Sequence, residues 1–309
     1  MKIVPYQQQR MLWNNMVAVS RNGTFLLNRC YMDYHANRFS DCSLMIEKNG
    51  RLVAVLPANR DGNAVVSHAG LTFGGLILAD KTGAADVKII FEQLRDWLVS
   101  SGVRKLIYKP IPHIYHRIFC EEDLYALYCL GAKTIRVDVS TTIRQATRLP
   151  LAKGRKYATG RARKAGVSVQ KSDDYVSFWK ILTQNLADKY AAKPTHSLEE
   201  MQFLASRFPQ IQLYLAYLAK RPVAGVVVYD YDQVAHTQYI GLNDDARETG
   251  ALDMLLEHLI SEVFVHKPYF NFGASTYNHG LSLNEGLAAQ KEMFGGRTTI
   301  LQWLELEFA

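Results

Sequence analysis

Apolar residues recur along this chain with two periods, and the order of those periods outlines its elements. Val87, Ile90, Phe91, Leu94 and Leu98 stand at i, i+3, i+4, i+7 and i+11, which puts them on one face of a helix. Leu252, Leu255, Leu256, Leu259 and Val263 repeat the same spacing, and Tyr175, Phe178, Trp179, Leu182 and Leu186 set a third helix. Ser197-Leu198-Glu199-Glu200 is a capping box that opens a fourth. Further helical stretches carry Met11, Trp13 and Met16 near the start, cover 124–130 up to Gly131, and lie near 283–293. Short strand-like runs fall at 43–47, 52–56, 64–68, 105–108 and 134–139 in the first half. In the second half they fall at 167–170, 212–218, 223–229, 234–240, 269–272 and 298–306. Asn49-Gly50 marks a tight hairpin, because that pair tolerates positive φ.

The halves repeat. EKNGRLVAVL resembles LAKRPVAGVV, with Arg51 170 positions before Arg221, and His68-Ala69-Gly70-Leu71 is matched to Ile240-Gly241-Leu242. So long a period points to two copies of one α/β domain rather than a solenoid. The boundary is expected at the basic stretch, giving domains 1–143 and 144–309. In the second copy, strand 234–240 runs through a polar turn into the helix from Leu252. That junction is read first as an anion site, since the first helical turn leaves N–H groups unpaired.

Composition narrows the class. At 309 residues with 48% hydrophobic and 21% charged content, the chain has the make-up of a globular protein with a proper core. It has no apolar run long enough to cross a bilayer and no signal-peptide core, so a cytoplasmic location is expected. Cys30, Cys42, Cys120 and Cys129 lack the spacing of a zinc site or disulfide framework, and no metal is expected. The formal charge of +7 favours an anionic partner. Arg144 to Lys164 holds eight Lys or Arg and no acid.

The order strand, two helices, three strands, helix, strand, helix, strand in the second copy resembles the GNAT acyltransferase fold. Together with the duplication, the basic segment and the pattern Asn271-Phe272-Gly273…Lys291…Phe294-Gly295-Gly296, it resembles the FemABX-like branch, whose best-known members transfer amino acids from aminoacyl-tRNA to peptidoglycan precursors. The resemblance implies an α/β (α+β) protein of two tandem GNAT-like domains with mixed, mostly antiparallel sheets. Because the first copy offers only the degenerate Lys81-Thr82-Gly83-Ala84-Ala85, it is expected chiefly to bind the acceptor and the second copy to hold the donor and reaction centre. The sequence departs from the GNAT pyrophosphate motif, which survives only as Arg247-Glu248-Thr249-Gly250-Ala251-Leu252 with leucine at its last small position. A coiled-coil arm is also missing.

Acyl transfer to an amine needs a polarised carbonyl, a route for the amine's proton and stabilisation of the tetrahedral intermediate. By resemblance, Lys291 is the candidate for that stabilisation, and His236 stands among the base candidates with Asp230, Asp232 and Glu285. Arg247, Gly250, Ala251, Lys153, Arg155, Lys156 and Arg161 are the candidates for donor or phosphate binding. Tyr34, His35, Arg38 and Phe73 are those for the acceptor. The expected function is an acyl or aminoacyl transferase that forms an amide on an amine of a cell-envelope precursor. No tightly bound cofactor is expected, and the co-substrate is acyl-CoA or aminoacyl-tRNA. An anionic nucleotide-containing partner fits: CoA, a tRNA end or a UDP-linked precursor. Two alternatives stand beside this reading: an acetyl-CoA-dependent N-acetyltransferase on a nucleotide sugar or polysaccharide precursor, and an inactive binding module of the same fold.

Overall fold

The structure, a computed structural model, describes residues 1–190 and 192–308. Two compact units emerge: Met1–Asp138 with Thr276–Ser282 and Ile300–Ala309, and Val139–Ser275 with Leu283–Thr299.

The first unit contains β1 (Lys2–Pro5), α1 (Arg10–Val19), β2 (Leu44–Lys48), β3 (Arg51–Leu56), β4 (Ala64–Val66), β5 (Ile77–Leu78), α2 (Ala84–Ser100), β6 (Lys105–Tyr108) and α3 (Glu122–Cys129). Strands β1, β2, β3 and β5 form an antiparallel sheet in that order. β4 instead runs parallel to β6, which pairs antiparallel with the C-terminal strand. All five periodic residues of α2 are buried in the core of this unit, as their spacing predicts. Trp13 of α1 is also fully buried, and its indole N–H donates to Leu27 O at 2.8 Å.

The second unit takes up β7 (Lys133–Arg144) partway along. It continues with α4 (Lys153–Lys164), β8 (Ser168–Ser172), α5 (Tyr175–Tyr190), α6 (Leu198–Arg207), β9 (Ile211–Leu218), β10 (Arg221–Asp230), β11 (Val234–Leu242), α7 (Asp244–Thr249), α8 (Ala251–His258), β12 (Tyr269–Ala274), α9 (Glu285–Glu292) and the start of β13 (Arg297–Glu307), which belongs to the first unit from Ile300 on. Its strand order is β8-β9-β10-β11-β12-β7. Every neighbouring pair is antiparallel except β11 and β12.

The duplication is visible at single residues. Both hairpins turn on two successive residues of positive φ, Asn49 and Gly50 in one, Ala219 and Lys220 in the other. Each carries a bulge at the same place, between Ile46 and Glu47 or between Ala216 and Tyr217. Ala54 faces Leu78 as Ala224 faces Leu242. The strand end equivalent to Ile240-Gly241-Leu242 is therefore β5, not His68-Ala69-Gly70-Leu71. The segment between β3 and β5 forms β4 and pairs away from β3, a long-range choice that local similarity cannot register.

Strands β11 and β12 pair only where Val234, Ala235 and His236 face Tyr269, Phe270 and Asn271, and beyond that point they separate. Helix α5 packs against β10 and β11 here because Gly225 and Gly241, cross-strand partners, leave room for it. A Cβ on Gly225 would come within 2.4 Å of the Phe178 ring, and one on Gly241 within 3.1 Å of the Leu182 backbone. The opening between the two strands is the structural origin of the site.

Candidate functional site: the cleft between β11 and β12

A cavity of about 340 Å³ fills the opening. Leu182 and Leu186 of α5, Leu252 and Leu256 of α8, Ile240, Phe272 and Phe294 give it apolar walls. Six polar side chains, Asn185, Thr237, Gln238, Tyr239, Gln290 and Lys291, complete the lining. That balance, an apolar slot with a few convergent polar groups, is the usual composition of a small-molecule site.

Lys291 sits on the buried side of α9, 6% exposed. Its ammonium donates to Gly273 O (2.9 Å), Ala274 O (2.7 Å) and Ser275 Oγ (2.9 Å). Three acceptors match the three N–H bonds of an ammonium. Burial pulls its pKa down to about 8. The charge is thus held at the end of β12, where that strand leaves β11.

Beneath it lies a hydrogen-bonded hub at Asn271, which is 2% exposed. The Gly273 N–H donates to Asn271 Oδ1 at 2.8 Å, which fixes the amide's orientation. His236 Nδ1, 2.7 Å from the same oxygen, must then carry its proton and donate. Asn271 Nδ2 donates to Ser140 Oγ and Thr142 Oγ1. Burial lowers the His236 pKa to about 4, opposed by the Asn271 hydrogen bond and reinforced by the Lys291 charge. His236 is therefore a neutral imidazole behind the cleft rather than a residue of its lining.

Two buried polar atoms facing the cleft have no hydrogen-bond partner: Asn185 Nδ2 on a side chain 7% exposed and Thr237 Oγ1 on one 5% exposed. Leaving such a group unpaired costs about 1–3 kcal/mol, so the pair is poised for a ligand that carries hydrogen-bonding atoms. Nearby, Tyr239 Oη lies 2.6 Å from His196 Nδ1 and accepts the His196 backbone N–H at 3.1 Å. Its ring packs edge-on against Trp179. None of Asn185, Thr237 and His196 stands out by motif. Asn185 alone left a trace, a polar residue three positions after Leu182 on the apolar stripe of α5.

Most of the phosphate-binding candidates are engaged by the protein's own groups. Between β11 and α8 the chain forms the extra helix α7, capped by the Asn243 side chain and carrying Asp244 and Asp245 in its first turn. Two carboxylates and a filled cap complement the helix dipole where an anion was expected. Arg247 pairs with Asp244 at 3.1 Å, and its carbonyl accepts from Arg161. Gly250, at φ +79°, is where α4 comes closest, and a Cβ there would lie 2.5 Å from the Ala158 carbonyl oxygen. Ala251 is fully buried. Arg155 binds Asp253 in the first turn of α8 at 2.6 Å and lies over the Phe294 ring. Lys153 and Lys156 are exposed on α4, which packs along α8. The second half of the basic stretch, Lys153–Lys164, is thus a helix.

In the first unit, Tyr34 stacks on His35 (4.3 Å between ring centres), and His35 Nδ1 lies 2.6 Å from Met32 O. Arg38 is exposed. Phe73 is 1% exposed and packs on Tyr115. Among the described residues no group of His, Cys, Asp and Glu is arranged to hold a metal ion, and no helix is long and apolar enough to cross a membrane.

Comparison with known proteins agrees with this geometry. Residues 147–279 match the acetyltransferase (GNAT) domain family. FemX superposes over 100% of this chain and 98% of its own, with a TM-score of 0.68 at 10% identity. The L-PGS of Bacillus licheniformis covers 89% of this chain and 90% of its own, at a TM-score of 0.60 and 12% identity. A tandem GNAT protein from the clavulanic acid biosynthesis pathway covers 99% of this chain and 98% of its own, at 0.54 and 12%. No curated protein matches the chain in sequence. At these identities the solved structures establish the fold, a tandem GNAT fold of the FemX kind.

Proposed function

We propose, from a chain that carries a GNAT domain match over residues 147–279 within a FemX-like tandem fold, that it is an acyl or aminoacyl transferase forming an amide on an amine of a cell-envelope precursor. The observation that carries this reading is the β11–β12 cleft, an apolar slot holding two buried polar atoms without partners and a lysine charge at its edge. An acyl chain fits the apolar walls. Its carbonyl oxygen would accept from Asn185 Nδ2 and from the Thr237 hydroxyl, the kind of preorganised donors that stabilise an oxyanion. Lys291 would add a fixed positive charge at the end of β12, strengthening as the slot closes over its ligand and water leaves. His236 would act through Asn271, keeping that turn and hence Lys291 in place.

Helix α7 bears on the donor. Its capped, doubly acidic first turn and the packing of α4 on Gly250 leave the customary pyrophosphate position filled, which favours an aminoacyl-tRNA over CoA. The GNAT match keeps an acetyl-CoA-dependent N-acetyltransferase as the second reading. Lys153 and Lys156, exposed on α4, would meet donor phosphates in either case. Calorimetric titration separates these: alanyl-tRNA and acetyl-CoA are each titrated into the wild-type chain and into an Ala274→Trp variant, which plugs the cleft. Saturable binding of either donor that the variant loses supports the reading. Binding that the variant retains places the donor elsewhere and overturns it.

A further inference from the structure

We infer that Tyr239 and His196 form the proton-handling pair of the cleft, with Tyr239 as the catalytic residue that touches the amine and His196 as the group that holds and exchanges its proton. The inference deepens the transferase reading and rests on it.

Among the described residues of the cleft lining, two titrate, Tyr239 and Lys291. The three N–H bonds of Lys291 are already given to Gly273 O, Ala274 O and Ser275 Oγ, which suits a fixed charge and not a base. Tyr239 is arranged differently. A backbone N–H can only donate, so the His196 N–H at 3.1 Å occupies one lone pair of the phenol oxygen. His196 Nδ1 lies 2.6 Å from the same oxygen, and in the tautomer that leaves this nitrogen bare the phenol donates its proton to it. His196 is buried at 7% exposure, and the proposed relay uses its tautomer with the proton on Nε2. Trp179 packs edge-on against the phenol ring and the His196 ring packs across it, which holds the hydroxyl in place. Tyr239 lies three positions beyond His236, the last residue of β11 to pair with β12, so it stands where the strands have opened.

The step balances without any co-reactant. The acceptor amine nitrogen attacks the donor carbonyl carbon, forming the C–N bond while the carbonyl π electrons move onto oxygen. The amine's proton passes to Tyr239 Oη as the phenol's own proton passes to His196 Nδ1. Collapse of the intermediate breaks the bond to the leaving oxygen or sulfur, and the imidazolium returns the proton through the phenol to that leaving atom. Amide and protonated leaving group are the only products.

The test uses the full chain with alanyl-tRNA and acetyl-CoA offered in turn as donors and a UDP-linked muropeptide as the amine. Tyr239→Phe is expected to lower kcat about a hundredfold or more while KM moves less than about threefold. His196→Ala is expected to lose a similar factor and to regain much of it when imidazole is added, a rescue that a packing role would not give. Melting temperatures identify any variant that fails to fold, and His196→Gln, which keeps the ring's bulk in part, then replaces His196→Ala. An active wild type with an equally active Tyr239→Phe, or with a folded His196→Ala that imidazole leaves inactive, overturns the pair alone. A wild type inert with both donors removes the transferase reading and the pair with it.

Discussion

The ammonium of Lys291 lies 2.7 Å from the carbonyl oxygen of Ala274, the last residue of β12. A buried charge thereby ties helix α9 to the strand end that leaves β11, so the same contact shapes the cleft and electrifies it. Removal of the charge should therefore have two effects. Lys291→Met leaves two carbonyls and a hydroxyl without their donor and should cost on the order of 3 kcal/mol of stability. Urea titration measures that loss, and transfer should fall further than the loss of folded protein explains. A variant as stable as the wild type would show that the three hydrogen bonds contribute nothing net.

Proton linkage gives a second check on Lys291. Its folded-state pKa, about 8, lies below the value of an exposed lysine, so the folded protein resists the charge. The destabilisation is full below pH 8, shrinks as pH rises above it, and vanishes once the unfolded chain also loses the proton. Relative to Lys291→Met, the wild type should gain stability between about pH 8 and 10.5. Transfer that depends on the charge should decline over the same rise. Melting curves and rates across that range test both signs.

His236 should act in the acid range. Burial holds its pKa near 4, so as pH falls below the ordinary imidazole value the unfolded chain takes up a proton that the native state refuses. Stability should therefore fall between about pH 6.5 and 4. His236→Gln should flatten that fall only in part, because the buried His116, held near 4, and His68, held near 3, remain. An acid limb unchanged in His236→Gln would mean that the imidazole takes up a proton in the native state.

The two unpaired polar atoms predict a trade-off. Thr237→Val and Asn185→Leu each remove a buried group with no partner, and each should stabilise the protein by about 1 kcal/mol. Both should weaken donor turnover. Denaturant midpoints and initial rates measured on the same preparations decide this. Loss of stability would indicate that these atoms are satisfied in the native state.

Gly250 separates packing from ligand binding. A side chain at φ +79° and 2.5 Å from the Ala158 carbonyl should make Gly250→Ala cost about 2–4 kcal/mol. The loss should show in thermal melts with no donor present. Full stability with selectively weakened donor binding would return Gly250 to the donor site.

Much of the fold was legible because its elements obey local rules. The stripe from Val87 to Leu98, the Ser197 capping box and the Asn49-Gly50 turn each state their structure in a few residues. The hidden parts depend on pairing at a distance. β4 could be mistaken for the strand before α2 because only its parallel partner β6 sets it apart. Helix α7 escaped notice because a polar run read as a turn becomes helical once Asn243 caps it. Lys291, singled out by its motif, lines the cleft, but the meeting of Tyr239 with His196 joins residues 43 apart in sequence through a loop that carries no periodic signal.

Product formation tests the central claim most directly. Mass spectrometry of a UDP-linked muropeptide incubated with alanyl-tRNA or acetyl-CoA should detect a new amide with the wild-type chain. The Ala274→Trp variant, folded but with its cleft plugged, should make none. An amide formed equally by both proteins, or none from the wild type with either donor, would contradict acyl transfer in the cleft between β11 and β12.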